Sequence, residues 1–255
     1  NLGAIYQGGL GVVKDARRAT ALFAQACNGG NVASCNHLAV ALAQGMGVQR
    51  DAAKAAELYQ KACDGGHNVA CNNLGLMLME GDGVPKDLAR AELILEKACA
   101  ANTPFACTNA GNLDAKLLEQ EGAPRRKKML GHFGRGCDAK DPTSCRAIGV
   151  LYLKGLGLPP SPSAAGIWLK KGCDHGDGEA CRVLGFMHRD GHGVARDLDR
   201  SAQLLKRACE RRDDEACKHL TSAGSGSSLS PNADAGVTSS DALNAGSGNA
   251  QKRPD

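Results

Sequence analysis

Aromatic side chains make up only 3% of this 255-residue sequence, and Trp168 is its single tryptophan. A core built from it must therefore rest on Leu, Ala, Val and Met. No apolar run approaches the ~18 residues that a helical membrane span requires, so no segment of the sequence reads as a transmembrane helix. Net charge is also small, at +4 from 31 basic and 27 acidic residues. A nucleic-acid surface wants a long basic stripe interleaved with stacking aromatics, which is missing, so no nucleic acid is expected as a partner. The one strong basic run, Arg125-Arg126-Lys127-Lys128, reads as a solvated helix face or loop. The histidines are scattered. His188 and His192 have helical i, i+4 spacing, but Gly191 should end the helix between them, and neither a metal site nor a cofactor is expected.

What the sequence does have is cysteine. Its twelve cysteines form six pairs of one spacing: Cys27 and Cys35, Cys63 and Cys71, Cys99 and Cys107, Cys137 and Cys145, Cys173 and Cys181, Cys209 and Cys217. The first members lie 36, 36, 38, 36 and 36 residues apart, which marks a structural unit repeated along the chain. Two cysteines eight residues apart in one helix would be separated by roughly 12 Å and could not bond. A helix that ends, turns and re-enters as an antiparallel helix can bring both to the joint, where a bridge across so short a loop contributes about 2–3 kcal/mol. Zinc is the competing reading, against which stands the closer spacing of two to four residues that structural zinc sites use. An even dozen, all pairable in one register, reads as a disulfide framework made in an oxidising compartment.

The residues around the pairs recur in register. Ala62 to Gly75 has echoes beginning at Ala26, Ala98, Gly136, Gly172 and Ala208, and a Gly-x-Gly-Val element follows at Gly9, Gly45, Gly81 and Gly191, with Leu158 closing the version at Gly155. Cys71, Leu74, Gly75 and Leu78 make one apolar stripe of a first helix. Gly75 in that stripe costs about 1 kcal/mol against Ala, a loss that makes sense where a neighbouring helix must come close. Gly81 and Gly83 should end this helix. Asp87 should cap a second one, as Asp15, Asp51 and Asp197 do in their units.

In these features the units resemble Sel-1-like repeats, relatives of the tetratricopeptide repeat, in the disulfide-bearing form of the Helicobacter cysteine-rich protein family. Leu74-Gly75, Gly81-x-Gly83-Val84, Asp87, Ala91, Lys97-Ala98-Cys99 and the cysteine spacing match in order. The resemblance implies an all-α fold, a right-handed α/α solenoid of helix-turn-helix repeats with a disulfide at each joint. It covers residues 1–221, about six units. The stretch from Thr108 to Gly136 departs from the pattern, lacking Gly-x-Gly-Val and lengthening the spacing by two. Residues 222–255, rich in Ser, Gly, Ala and Asn, read as a disordered tail or linker. The opening Asn1-Leu2-Gly3 is in register with Asn73-Leu74-Gly75 inside a helix, so the chain is expected to be truncated, with any signal peptide and further repeats upstream.

Function is less explicit. In proteins of this resemblance the first helices line a concave face where ligands bind. Counting from the second cysteine, offset one gives Asn36, Asn72, Thr108, Arg146, Arg182 and Lys218, and offset five gives Val40, Leu76, Asn112, Val150 and Phe186. The expected groove is amide-rich in its first half and cationic in its second, suited to a peptide or glycan with an anionic end. The reading is a monomeric scaffold, periplasmic or secreted, that binds a protein, a peptide or a peptidoglycan fragment. Two alternatives stand beside it. Members of the cysteine-rich family are named as β-lactamases and penicillin-binding proteins, although no Ser here has Lys three residues on and Ser-Asp-Asn and Lys-Thr-Gly are absent, so no catalytic residue is assigned. A relative also serves as a mitochondrial intermembrane-space assembly factor.

Overall fold

Aspartate opens the second helix of most repeats. Asp15, Asp51, Asp87 and Asp197 hold extended backbone and accept the amide N–H three residues on, at 2.8–2.9 Å. Each thereby satisfies a donor that the first turn leaves without a partner. Glycine closes the first helices: Gly45, Gly81, Gly155 and Gly191 adopt φ of 69°, 78°, 65° and 70°, a left-handed conformation that a Cβ would disfavour.

The computed structural model describes residues 2–156 and 158–224, and among these are thirteen helices and no strand. The described residues divide inside a helix into two compact units, the first ending at Leu113 and the second beginning at Asp114. In the first, α1 (Leu2–Gly8), α2 (Ala16–Asn28), α3 (Val32–Gln44), α4 (Ala52–Asp64), α5 (Asn68–Glu80) and α6 (Leu88–Ala100) precede the start of α7 (Ala106–Glu121). In the second, the end of α7 is followed by α8 (Ala123–Asp138), α9 (Pro142–Lys154), α10 (Pro162–His175), α11 (Gly178–Asp190), α12 (Leu198–Glu210) and α13 (Asp214–Gly224). The helices from α1 to α6, and those from α8 to α13, each pack on their neighbours in the chain, the arrangement of an α/α solenoid.

The close approach expected at Gly75 is there: a Cβ added to it would lie 2.6 Å from Cγ of Leu95 on α6. Gly149 and Leu169 repeat the contact in the second unit. The second glycine of the Gly-x-Gly connection meets backbone instead. A Cβ on Gly47, Gly83 or Gly193 would come within 2.3–2.4 Å of the carbonyl carbon of Ala16, Ala52 or Pro162, the first residue of the preceding repeat's second helix.

All six cysteine pairs are disulfides, with Cα atoms 4.5–4.7 Å apart. Each joins the last turn of a second helix to the first turn of the next first helix, so the staples lie between repeats. In the divergent stretch α7 and α8 lengthen to 16 residues each, against 13 for α3 to α6. Gly122 alone separates them, at φ 64°, with Pro124 in the first turn of α8. Trp168 packs half-buried against Met129, Phe133, Ile148 and Leu151, as a residue of the second helix should. Helix α13 continues through Gly224, so the first three residues of the expected tail are helical; the rest of it, 225–255, lies outside the described residues.

Candidate binding face

The column expected at offset one does not face solvent. Asn36, Asn72, Thr108 and Arg146 are buried, Arg182 is largely covered, and only Lys218 is exposed. The reason is the number of neighbours. A first helix inside the array packs against the second helices before and after it, and its offset-one side chains also reach the next first helix. Only a narrow stripe is left, which on α5 consists of Val69, Asn73, Leu76 and Glu80, at offsets minus two, two, five and nine.

Arg146 is spent on the next repeat. Its Nε donates to Oδ2 of Asp177 at 2.9 Å, its Nη1 lies 2.8 Å from Glu179, and its side chain is 8% exposed. Burial works against the guanidinium charge, but Asp177 and Glu179 more than offset it and the pKa is raised. Arg182 repeats the arrangement on Asp213 at 3.1 Å and Glu215 at 2.9 Å. The aspartates serve twice. Asp177 and Asp213 cap α11 and α13 through Oδ1, accepting from Ala180 N and Ala216 N, and hold the arginine through Oδ2. Two of the three expected groove cations, Arg146 and Arg182, are thus neutralised as interface residues, and Lys218 alone of the three is exposed.

The first unit carries the same positions without charge. Asn72 Oδ1 accepts from Asn109 Nδ2 at 2.8 Å, a buried amide pair, and Asn36 Oδ1 is buried with no hydrogen-bond partner. Where the second unit has Asp177, the first has His67, whose Nδ1 accepts from Ala70 N at 3.3 Å.

Offset five keeps more surface. Leu76, Asn112, Val150 and Phe186 are all part-exposed, whereas Val40 is buried. Phe186 has the richest surroundings: the Arg189 and Arg182 guanidinium carbons lie 4.7 and 5.9 Å from its ring centre, and the His219 ring meets it edge-on at 4.9 Å. Arg189 and His219 escaped the sequence reading because only spatial neighbourhood brings them to Phe186.

A second cluster was misread. Arg125 is buried: its Nη1 donates to Asp114 Oδ1 at 2.8 Å, and its Nη2 and Nε donate to Glu121 at 2.6 and 2.9 Å. Asp114 Oδ2 also lies 2.6 Å from Nδ1 of His132. The basic run is therefore no solvated face at its first member. A signal was available, since Asp114 stands at offset seven, the core position held by Leu78.

The comparisons agree with this architecture. The Sel1 repeat matches residues 1–31, 32–67, 68–102, 142–177 and 178–213, and the chain belongs to the Sel1 repeat family. The divergent stretch lies in residues 103–141, which are without a match, as are residues 214–255. A Sel1 repeat protein from Oxalobacter formigenes is 27% identical, with a TM-score of 0.73 over 87% of this chain and 88% of that one. The structure of c5321, a protective antigen of uropathogenic Escherichia coli, is 26% identical with a TM-score of 0.72 over 89% of this chain, which spans about half (49%) of that antigen's length. Helicobacter pylori cysteine-rich protein B aligns over 53% of this chain and 96% of its own, at 24% identity and a TM-score of 0.43. No curated protein matches the sequence.

Proposed function

We propose that this chain is a non-catalytic binding scaffold, periplasmic or secreted, that holds a protein, peptide or cell-wall fragment against the exposed stripes of its first helices. The observation that carries this reading is how these helices use their side chains. Packing and ion pairs occupy the positions at offsets zero, one, three and four, while Leu76, Asn112, Val150 and Phe186 keep surface in solvent. Sel1 repeats support protein–protein interaction, and six inter-repeat disulfides fit an oxidising, extracytoplasmic space. With Arg146 and Arg182 neutralised, the contact set is apolar and amide in character, with Lys218 as its exposed cation.

Selection of a random peptide library on the purified protein tests the assignment. Peptides enriched on the wild type and held by the second unit should bind Phe186→Asp about tenfold more weakly or worse, and those held by the first unit should respond in the same way to Leu76→Asp, the loss expected for a central apolar anchor. Leu93→Asp, on the 72% exposed outer side of α6, should leave them unaffected. Peptides whose binding depends on Leu93 and not on Phe186 or Leu76 would move the face elsewhere, and no enrichment over denatured protein would remove it.

A further inference from the structure

The residue two places after the first cysteine of each joint changes along the chain: Gly29, Gly65, Ala101, Ala139, His175, Arg211. Only the last is a permanent cation. Arg211 follows α12 and turns back onto the previous joint, where its Nη1 donates to the carbonyl of Cys173 and lies 3.3 Å from Sγ of Cys181. Cys181 is in the first turn of α11, where the positive end of the helix dipole already favours a thiolate. Cys35, Cys71 and Cys145 share that helix position. The guanidinium at Cys181 is an addition to it. Of the carboxylates that act on Arg211, Asp174 is also held by Lys170 and Arg207 and Asp177 by Arg146, and the third is Glu210.

We infer that Cys173–Cys181 is the redox-sensitive bridge of the molecule, opened by a dithiol reductant to release the joint between α10 and α11. A reductant thiolate attacks Sγ of Cys173, the S–S bond breaks, and its electron pair leaves on Sγ of Cys181, where Arg211 holds the new thiolate. The reductant's second thiol then displaces Cys173 and closes the reductant's own disulfide. Two electrons pass to the cysteines; of the two reductant protons, one goes to Cys173 and one to solvent. A leaving thiol of lower pKa leaves faster and makes the dithiol form more favourable. Both sulfurs are buried, so attack needs a local opening of the joint, and the property is measured at equilibrium rather than as a rate.

The full chain is equilibrated at mildly alkaline pH with graded ratios of reduced to oxidised dithiothreitol, alkylated and mapped by mass spectrometry. Cys173–Cys181 should reach half-reduction at a ratio about tenfold lower than Cys63–Cys71, which has Ala101 at the position of Arg211. Arg211→Ala should raise that ratio about tenfold, Arg211→Lys should raise it less, and Lys206→Ala, which removes an exposed cation of α12, should leave it in place. A purely structural Arg211, capping the carbonyls of α10, gives the opposite sign, because its loss loosens the joint and makes the bridge easier to reduce. That sign, an unchanged ratio in Arg211→Ala, or equal ratios for the two bridges in the wild type overturns the inference.

Discussion

In the first unit the step from one first helix to the next is bridged by amides, Asn72 to Asn109; in the second it is bridged by a guanidinium between two carboxylates, Arg146 to Asp177 and Glu179. The backbone position is the same. What differs is the cap position of the following first helix. After Asn36 it is His67, which can accept one backbone N–H but offers no fixed negative charge, and after Asn72 it is Thr103, whereas Asp177 and Asp213 have a second oxygen left for an arginine. The capping residue and the offset-one residue are therefore chosen together. An ion pair of this burial contributes little more net stability than a neutral contact, since desolvation offsets the Coulomb gain, but it is intolerant of losing one member. The second unit should accordingly be the more fragile to single substitutions, without being the more stable.

The largest effect is expected where the second unit buries most charge. Asp114→Ala leaves buried His132 without its carboxylate and Arg125 with Glu121, and should cost about 3–5 kcal/mol in urea unfolding. Asp114→Leu combined with Arg125→Met should recover most of that loss. A double variant as unstable as Asp114→Ala would mean that the network does more than satisfy itself. Next comes the rung itself. Arg146→Ala should cost about 2–4 kcal/mol by leaving Asp177 uncompensated, while Asn72→Ala in the first unit should cost about 1–2 kcal/mol. Equal losses would erase the distinction between the units. Converting the charged rung to amides with Arg146→Asn and Asp177→Asn should cost less than Arg146→Ala alone, a coupling that a double-mutant cycle reads directly.

The smallest effect separates the units by pH. His37 stacks on Phe23 at 4.8 Å, and burial, with the nearby His67, lowers its pKa below 6.5. In the window below that value the unfolded chain binds more protons than the folded one, so stability should fall as pH drops from neutral and rise again as pH is restored. Thermal midpoints followed through that window should flatten in His37→Gln. An unchanged slope would place the acid sensitivity elsewhere.

The repeat, its caps, its close glycine contacts and its bridges were legible in the sequence because each rests on chemistry between residues near in the chain. Cys63 and Cys71 meet across one turn, and Asp87 caps its own helix. Of the positions assigned to the surface, only those at offset five, other than Val40, together with Lys218 keep exposure. Helical-wheel reasoning assigns a helix one packed side and one free side, but α5 has partners on several sides, and its exposed stripe narrows and rotates by about one residue. Asn36 and Arg146 were misplaced for that reason. Arg125 was misjudged because a run of four cations looks solvated until the carboxylate that draws one of them inward, Asp114, is noticed in an apolar stripe eleven residues earlier.

Three of the second glycines, Gly47, Gly83 and Gly193, limit how such a chain can change length. With the backbone of Gly47 pressed on Ala16, that of Gly83 on Ala52 and that of Gly193 on Pro162, these loops act as a ruler laid from one repeat to the next. One residue added or lost between glycine and helix would slide every later division, so growth and loss are confined to whole periods of 36 residues. The sole interval of 38 contains the connection at Gly122, where an added Cβ would meet nothing within 4 Å. The ruler is interrupted there, and that is where the odd two residues are found.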